Sequence, residues 1–322
     1  MTELYTDAFG DRLRLIGGER FCRATMSSGL SGAASFRLGG ERMMFGKRVQ
    51  DFYAQSGSGA EIANRIISTL RTAAGALVAI TPETLAPFDH VHARGLAGTR
   101  ALTEFLEPKG GDSILDIGSG IGGPARWIAA NYQCKVTAVD LTKEYCAAAR
   151  DLNAACGMAA QVRILEGSAT ALPLPDAMFD AAYSHSVLMN IADKAGFYRE
   201  AFRVLKPGGR LVLFHLNAGP NGPPDFPLPW AAIPENSFLA SDEETRRALA
   251  AAGFQILAFR DASQADLPAT AALRRKIETE GQPVVGVHIL MGEDYVRERI
   301  NALRAEEEGR VRAVEILAIK PT

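Results

Sequence analysis

The amino-acid sequence predicts an α/β domain with a doubly wound, largely parallel sheet and a helical extension on its N-terminal side. Three observations carry that prediction. Beyond about residue 111, short apolar runs of strand length alternate with amphipathic stretches of helix length, the signature of repeated βα units. A glycine-rich turn, GSGIGG at 118–123, joins the first of these runs to a helix. An acid, Asp140, closes the second run twenty residues after Gly120.

Taken in order, residues 1–48 lack periodicity. GGER recurs at 17–20 and 39–42 around a Ser- and Gly-rich stretch, which is too little for a repeat architecture. This segment reads as an arm, a lid over substrate, or extra sequence ahead of a later start at Met26, Met43 or Met44. Residues 49–110 form a helical cap. GAEIANRIISTLRTAAG has apolar residues three and four apart. TPETLAP starts a helix with Pro in its first turn, Thr81 as N-cap, and Thr84 where a capping-box partner sits. GLAGTRALTEFLE is a third helix, stopped by PKGG.

Residues 111–322 form the sheet domain. The expected strands are SILDIG, KVTAVDL, QVRILEG, FDAAYSHS, RLVLFHL, FQILAFRD and a final run in GRVRAVEILAIKP. The expected helices between them are PARWIAANY, KEYCAAARDLNAACG, KAGFYREAFRVL and EETRRALAAAG. A Gly- and Pro-rich stretch near 216–240 is too irregular for core and suits a loop folded over substrate, with Phe226 and Trp230 as apolar walls. An aromatic wall there would attract a methylated cation.

Composition narrows the function classes. With 35 Lys and Arg against 37 Asp and Glu, the net charge is −2, so the chain has no broad basic surface for nucleic acid or an anionic membrane. The four cysteines, Cys22, Cys134, Cys146 and Cys156, form no zinc-ligand pattern, and no metal site is expected. Reduced thiols, no apolar run near the ~20 residues of a membrane span and no secretory leader point to the cytoplasm. The expected partner is a small molecule, and a homo-oligomer is compatible with the sequence.

Glycines after a strand allow a sharp turn and close approach to a ligand, and an acid at the end of the next strand suits a ribose diol. Asp116, at the end of the first strand, would crowd a dinucleotide pyrophosphate with like charge. It would welcome a cationic ligand instead. His185 lies just beyond the fourth strand, at the ligand-binding end of such a sheet, where it could orient substrate or take a proton. Ser184, Ser186, Met189 and Asn190 surround it, and Met189 and Asn190 have ordinary packing and capping roles open to them. His215 follows the strand LVLF. Arg94 and Arg100 are candidates for a substrate carboxylate, with an exposed helical arginine as the plain alternative. Asp193 and Lys194 read as helix-start residues.

The run ILDIGSGIGGPARWIA, with LPLPDAMFDAAYS and RVLKPGGRLVL, resembles the class I S-adenosyl-L-methionine-dependent methyltransferases, which have a Rossmann-like sheet. The resemblance puts Asp116, Gly118, Ser119 and Gly120 under the methionine part of that cofactor, Asp140 on the ribose and Leu141 beside the adenine. Gly167, Ser168 and Ala169 fall where the family has Gly-Asp-Ala, with Ser168 departing from the acid that accepts from the adenine amino group; Ser184 joins the cofactor set. FDHVHARGLAGTRAL, YSHSVLMNIADKAGFYREAFRVLKPGG, AGPNGPPDFPLPWA and the C-terminal VGVHILMGEDYVRERINALRAEEEGRVRAVEILAIKP resemble bacterial sarcosine and dimethylglycine N-methyltransferases. That resemblance implies methyl transfer to the amine of an amino-acid-like metabolite. It makes His185 and His92 the catalytic candidates, and Tyr53, His90, Arg94, His215, Phe226 and Trp230 the substrate contacts. O-, S- or C-methylation of a small metabolite, or cofactor binding without turnover, are the alternatives.

Overall fold

The computed structural model describes residues 4–6, 13–15, 57–92, 94–281, 286–292 and 294–322, and the chain divides into two units, Met1–Glu41 and Arg42–Thr322. In the first unit β1 (Leu4–Thr6) and β2 (Leu13–Leu15) pair antiparallel. The rest of the 1–48 segment, and Tyr53, lie outside the described residues.

The second unit begins with the helical cap: α1 (Gly59–Ala74), α2 (Pro82–Asp89) and α3 (Gly95–Leu106). Local chemistry sets their starts. Ser58 and Glu61 close a capping box at α1, and Thr81 with Thr84 closes one at α2, the Thr84 hydroxyl standing in for the usual acid. Helix α1 packs Ile62, Ala63, Ile66 and Leu70 against Tyr145, Ala148 and Leu152. A Cβ at Gly59 would lie 2.4 Å from that of Ala147, so only glycine lets the two helices come so close.

The sheet has seven strands: β3 (Ser113–Ile117), β4 (Lys135–Asp140), β5 (Val162–Glu166), β6 (Phe179–His185), β7 (Leu205–Ala218), β8 (Gln255–Asp261) and β9 (Val311–Ile319). Their order is β5-β4-β3-β6-β7-β9-β8. Strands β3 to β7 pair in parallel, and β9 runs antiparallel between β7 and β8. All seven predicted strands are present; only the reversal of β9 qualifies the expected parallel sheet. Helices α4 (Gly123–Tyr132), α5 (Lys143–Ala155), α6 (Lys194–Val204) and α7 (Asp242–Ala251) also stand where the periodicity put them. Three helices were not foreseen: α8 (Ser263–Glu280), α9 (His288–Met291) and α10 (Tyr295–Glu307).

Strand alternation divides the core between two faces. Ile114, Val136, Ala181, Val212 and Phe214 pack with α4 residues on one face. Leu115, Ile117, Ala182, Leu211 and Leu213 pack with Phe197, Tyr198 and Leu249 on the other. This parity decides which strand residues can reach a ligand. Among the described residues, no helix is long and apolar enough to cross a membrane.

Candidate active site

Strand β3 leads to β4 on one side of the sheet, and β6 lies on its other side. The carboxyl ends of β3 and β6 therefore flank a topological switch point, where an open α/β sheet leaves a crevice. A cavity of about 620 Å³ opens there. One part is lined by the glycine turn, Asp140, Leu141, Gly167, Ser168 and Ala169, and the remainder by the cap, the loop after β7 and helix α10.

The glycine turn is fixed by backbone bonds. The Gly118 and Ser119 N–H groups donate to the Val139 carbonyl at 2.8 and 3.1 Å. Gly118 has φ +80°, and a Cβ there would come 2.4 Å from Val187 Cγ2, so the turn excludes any side chain. The Asp140 carboxylate accepts from the Gly120 N–H and the Thr142 N–H, each at 2.8 Å. Asp140 thus ties the turn to β4 while lining the cavity, and each oxygen keeps lone pairs for a diol. Burial raises its pKa against these donors.

Asp116 is buried at 2% exposure and accepts from the Tyr183 hydroxyl at 2.8 Å. Burial lifts its carboxyl to about 7, and the nearby Asp140 adds to the rise. In the glycine turn, Ser119 Oγ is buried without a hydrogen-bond partner. A raised carboxyl, an orphaned hydroxyl and backbone stripped of side chains together fit a ligand with a cationic amine and a ribose. The geometry is therefore compatible with S-adenosylmethionine.

On the far side of the turn, His185 and His92 stack with ring centroids 3.5 Å apart and planes 20° from parallel. Phe214 meets His185 edge-on at 5.6 Å. His92 Nε2 lies 3.2 Å from the Thr99 hydroxyl. Burial, and secondly the neighbouring His92, hold the His185 pKa well below its ordinary value, so its imidazole is neutral. His185 Nδ1 is buried without a partner. The ring is a neutral polar group in a cavity whose lining also includes Met189, Leu216, Pro229, Trp230, Met291 and Leu303.

Several expected contacts lie elsewhere, for physical reasons. Ser184 is on the opposite sheet face from His185 and donates to the Ile117 carbonyl at 2.7 Å, so it braces strand pairing outside the cavity. His215 is one residue out of phase with Leu216, which lines the cavity, and is likewise outside it; burial holds its pKa at about 3. His90 is buried with Nδ1 2.8 Å from the Thr99 hydroxyl, behind His92. Phe226 backs Trp230 and does not line the cavity. Trp230 does, with its indole N–H donating to the Ser237 hydroxyl and its carbonyl accepting from Asn190. Arg94 reaches the cavity rim, but its guanidinium is 3.0 Å from Glu315. Arg100 stacks over the Trp127 ring, and Lys194 donates to the Leu188, Ile191 and Phe238 carbonyls.

Sequence reasoning missed Asp89 and Arg126. Arg126 is 0% exposed and bonds to Asp89 at 2.7 Å, the Ile121 carbonyl at 2.8 Å and Asn153 at 2.9 Å. This buried ion pair clamps the end of α2 onto the glycine turn, and Asp89 itself lines the cavity. A signal was available. Every residue of Gly123–Ala129 is buried, so PARWIAA offers its arginine no solvent face. Also missed was the cavity face of α10: Tyr295, Arg299, Ala302, Leu303 and Glu306. Among the described residues no group of His, Cys, Asp and Glu is arranged to hold a metal.

The family described as "Methyltransferase domain" matches residues 115–213, from β3 through the middle of β7. The chain is 33% identical over 135 residues to phosphoethanolamine N-methyltransferase 3 of Arabidopsis thaliana, covering 42% of this chain and 27% of that protein. It thus spans about a quarter of the length of that plant relative. It is 30% identical over 186 residues to the O-methyltransferase resE of Aspergillus sclerotiorum, covering 57% of this chain and 70% of the relative. Among solved structures it is similar to the geranyl diphosphate C-methyltransferase of Streptomyces coelicolor A3(2), bound to Mg²⁺, geranyl diphosphate and S-adenosyl-L-homocysteine. That similarity has a TM-score of 0.57 at 19% identity, over 70% of this chain and 79% of the other, and it shows a shared fold.

Proposed function

Because the chain belongs to the class I S-adenosylmethionine-dependent methyltransferases, we propose that it methylates an oxygen or carbon of a small metabolite with an apolar body. The observation that carries this reading is the His92–His185 stack, with the His185 imidazole held neutral by burial, beside the glycine turn in a cavity also lined by Met189, Leu216, Trp230 and Leu303. The cofactor supplies an electrophilic methyl group. Asp116 and Ser119 would hold its methionine end, Asp140 its ribose, and Leu141 and Ser168 its adenine.

The chain's own residues then have three tasks. The Trp230 loop, pinned by Asn190 and by the Phe238 N–H donating to the Met189 carbonyl at 2.7 Å, excludes water. The apolar wall aligns the acceptor. His185 accepts the hydrogen bond of the acceptor O–H or activated C–H and takes that proton as the new bond to methyl forms. The proton held on His185 would balance the positive charge that a bound cofactor gives up with the methyl group. His92, stacked on His185 and held by Thr99, fixes the ring plane.

The identity to a phosphoethanolamine N-methyltransferase favours a second reading, an amine acceptor. A neutral amine needs no base. The two separate by experiment. The full chain is offered phenols, enols, thiols and amines with labelled cofactor, and products are read by mass spectrometry. On the first reading His185→Ala lowers turnover of the accepted substrate by roughly 10²-fold or more while cofactor affinity stays within about twofold. Amines as sole substrates, with turnover indifferent to His185→Ala, would establish the second reading instead.

A further inference from the structure

We infer that the acceptor carries an anionic oxygen group, a carboxylate or a phosphate, seated on Arg299 and Tyr295 of helix α10. This rests on the methyltransferase reading and names the substrate class of the same site.

The inference comes from an inventory of charge around the cavity. Among the described residues, six acidic or basic side chains line it besides the histidines: Asp89, Arg94, Asp116, Asp140, Arg299 and Glu306. Asp89 is matched by Arg126, and Arg94 by Glu315. Asp116 has the Tyr183 hydroxyl, Asp140 has two loop amides, and Glu306 is also engaged. Arg299 differs. Its contact among the described residues is the Tyr295 hydroxyl, 3.4 Å from Nη1, a long bond to a neutral oxygen. No carboxylate of the described residues pairs with it.

Helix geometry places the two groups together. Tyr295 and Arg299 are one turn apart on the cavity face of α10, and Ala302 and Leu303 continue that face as apolar surface on the next turn. The wall therefore reads, along about 10 Å of helix, as a phenol, a guanidinium, then a greasy patch. A guanidinium is permanently charged and presents a planar fork of donors that matches a carboxylate or phosphate. When an apolar acceptor displaces water from this chamber, an unmatched guanidinium would be desolvated at considerable cost, and an anionic group on the acceptor removes that cost. The sequence reading sought a carboxylate handle at Arg94 or Arg100. Glu315 occupies the first and Trp127 the second, so the free cation has shifted to the helix that sequence periodicity did not reveal.

The test is calorimetry on the full chain saturated with S-adenosylhomocysteine. Three probes of equal chain length are used: octanoate, octyl phosphate and 1-octanol. The wild type should bind at least one anion roughly tenfold more tightly than the alcohol, the scale of one charge-assisted hydrogen bond. Arg299→Met should abolish that preference and leave octanol binding unchanged; Arg299→Lys should keep part of it, and Tyr295→Phe should lower it a few-fold. Whichever anion responds identifies carboxylate or phosphate. Arg299→Gln gives the same comparison if the methionine variant misfolds. No anion preference in the wild type, or a preference undiminished by both Arg299→Met and Arg299→Gln, overturns the inference. Loss of S-adenosylhomocysteine affinity with the preference intact also overturns it and places Arg299 on the cofactor. Cofactor binding by the wild type is measured first, and its absence sinks the methyltransferase reading separately.

Discussion

Replacing Asp89 with alanine should destabilise the protein far more than the loss of one hydrogen bond. Arg126 has no exposed surface and cannot shed its charge. Without Asp89 it keeps only neutral partners: the Ile121 carbonyl at 2.8 Å, Asn153 at 2.9 Å and the Ala149 carbonyl at 3.5 Å. Stranding a buried charge in this way costs about 3–5 kcal/mol. For a domain of this size that is a fall in Tm of roughly 10 °C. The double variant Asp89→Ala/Arg126→Met strands no charge, so it should be less destabilised than the sum of the single changes by about 2 kcal/mol. The assay is urea denaturation of the four proteins at pH 7.5, followed by circular dichroism. An Asp89→Ala variant within about 1 kcal/mol of wild type, or strict additivity in the double variant, would show that the pair contributes nothing particular and would refute the reasoning. Asp89 also holds the end of α2 on the glycine turn, so cofactor affinity should fall in the single variant even where the fold survives.

Three further outcomes are expected. Asp140→Ala removes an acceptor from the Gly120 and Thr142 amides as well as the proposed ribose ligand, so cofactor affinity measured by calorimetry should drop roughly tenfold or more; an unchanged Kd would move the ribose elsewhere. Asp116, lifted to about 7 by burial, is protonated below that pH and anionic above it. On the proposal that ionised Asp116 holds the cofactor's amine, affinity should rise with pH from about 6 to 8, and Asp116→Asn should flatten that rise; equal pH dependence in both proteins would rule this out. Gly118→Ala meets Val187 at 2.4 Å with φ +80°, so it should abolish cofactor binding while the far-ultraviolet spectrum persists, and a variant with near-normal affinity would contradict the close approach.

Much of the sheet was legible because its signals are local. Apolar runs bounded by glycine and proline gave every strand of the second unit, and the glycine run located the turn that lines the cavity. What stayed hidden depends on direction and distance. Nothing in VRAVEILAI says that this strand runs against its neighbours. Helix α8 contains Pro268 and alternates charged with apolar residues loosely, so its periodicity is weak. His215 and Ser184 sit in the right segments, but strand parity sends both to the other face of the sheet, and parity shows only once the register is known. His92 and His185 are 93 residues apart in sequence and stacked in space. Each was a candidate by itself; that they form a pair is a property of the fold.

The excursion from β8 to β9 runs through α8, α9 and α10 and returns to the adjoining strand of the same sheet. The glycine turn and Asp140 belong to a different part of the chain. Two walls of one chamber are thus encoded by separate stretches of sequence. Mutations in the excursion can accumulate without touching the glycine turn, so the two walls of the chamber can change independently of each other. The same separation makes the excursion the natural cassette to exchange among relatives when a new acceptor is wanted.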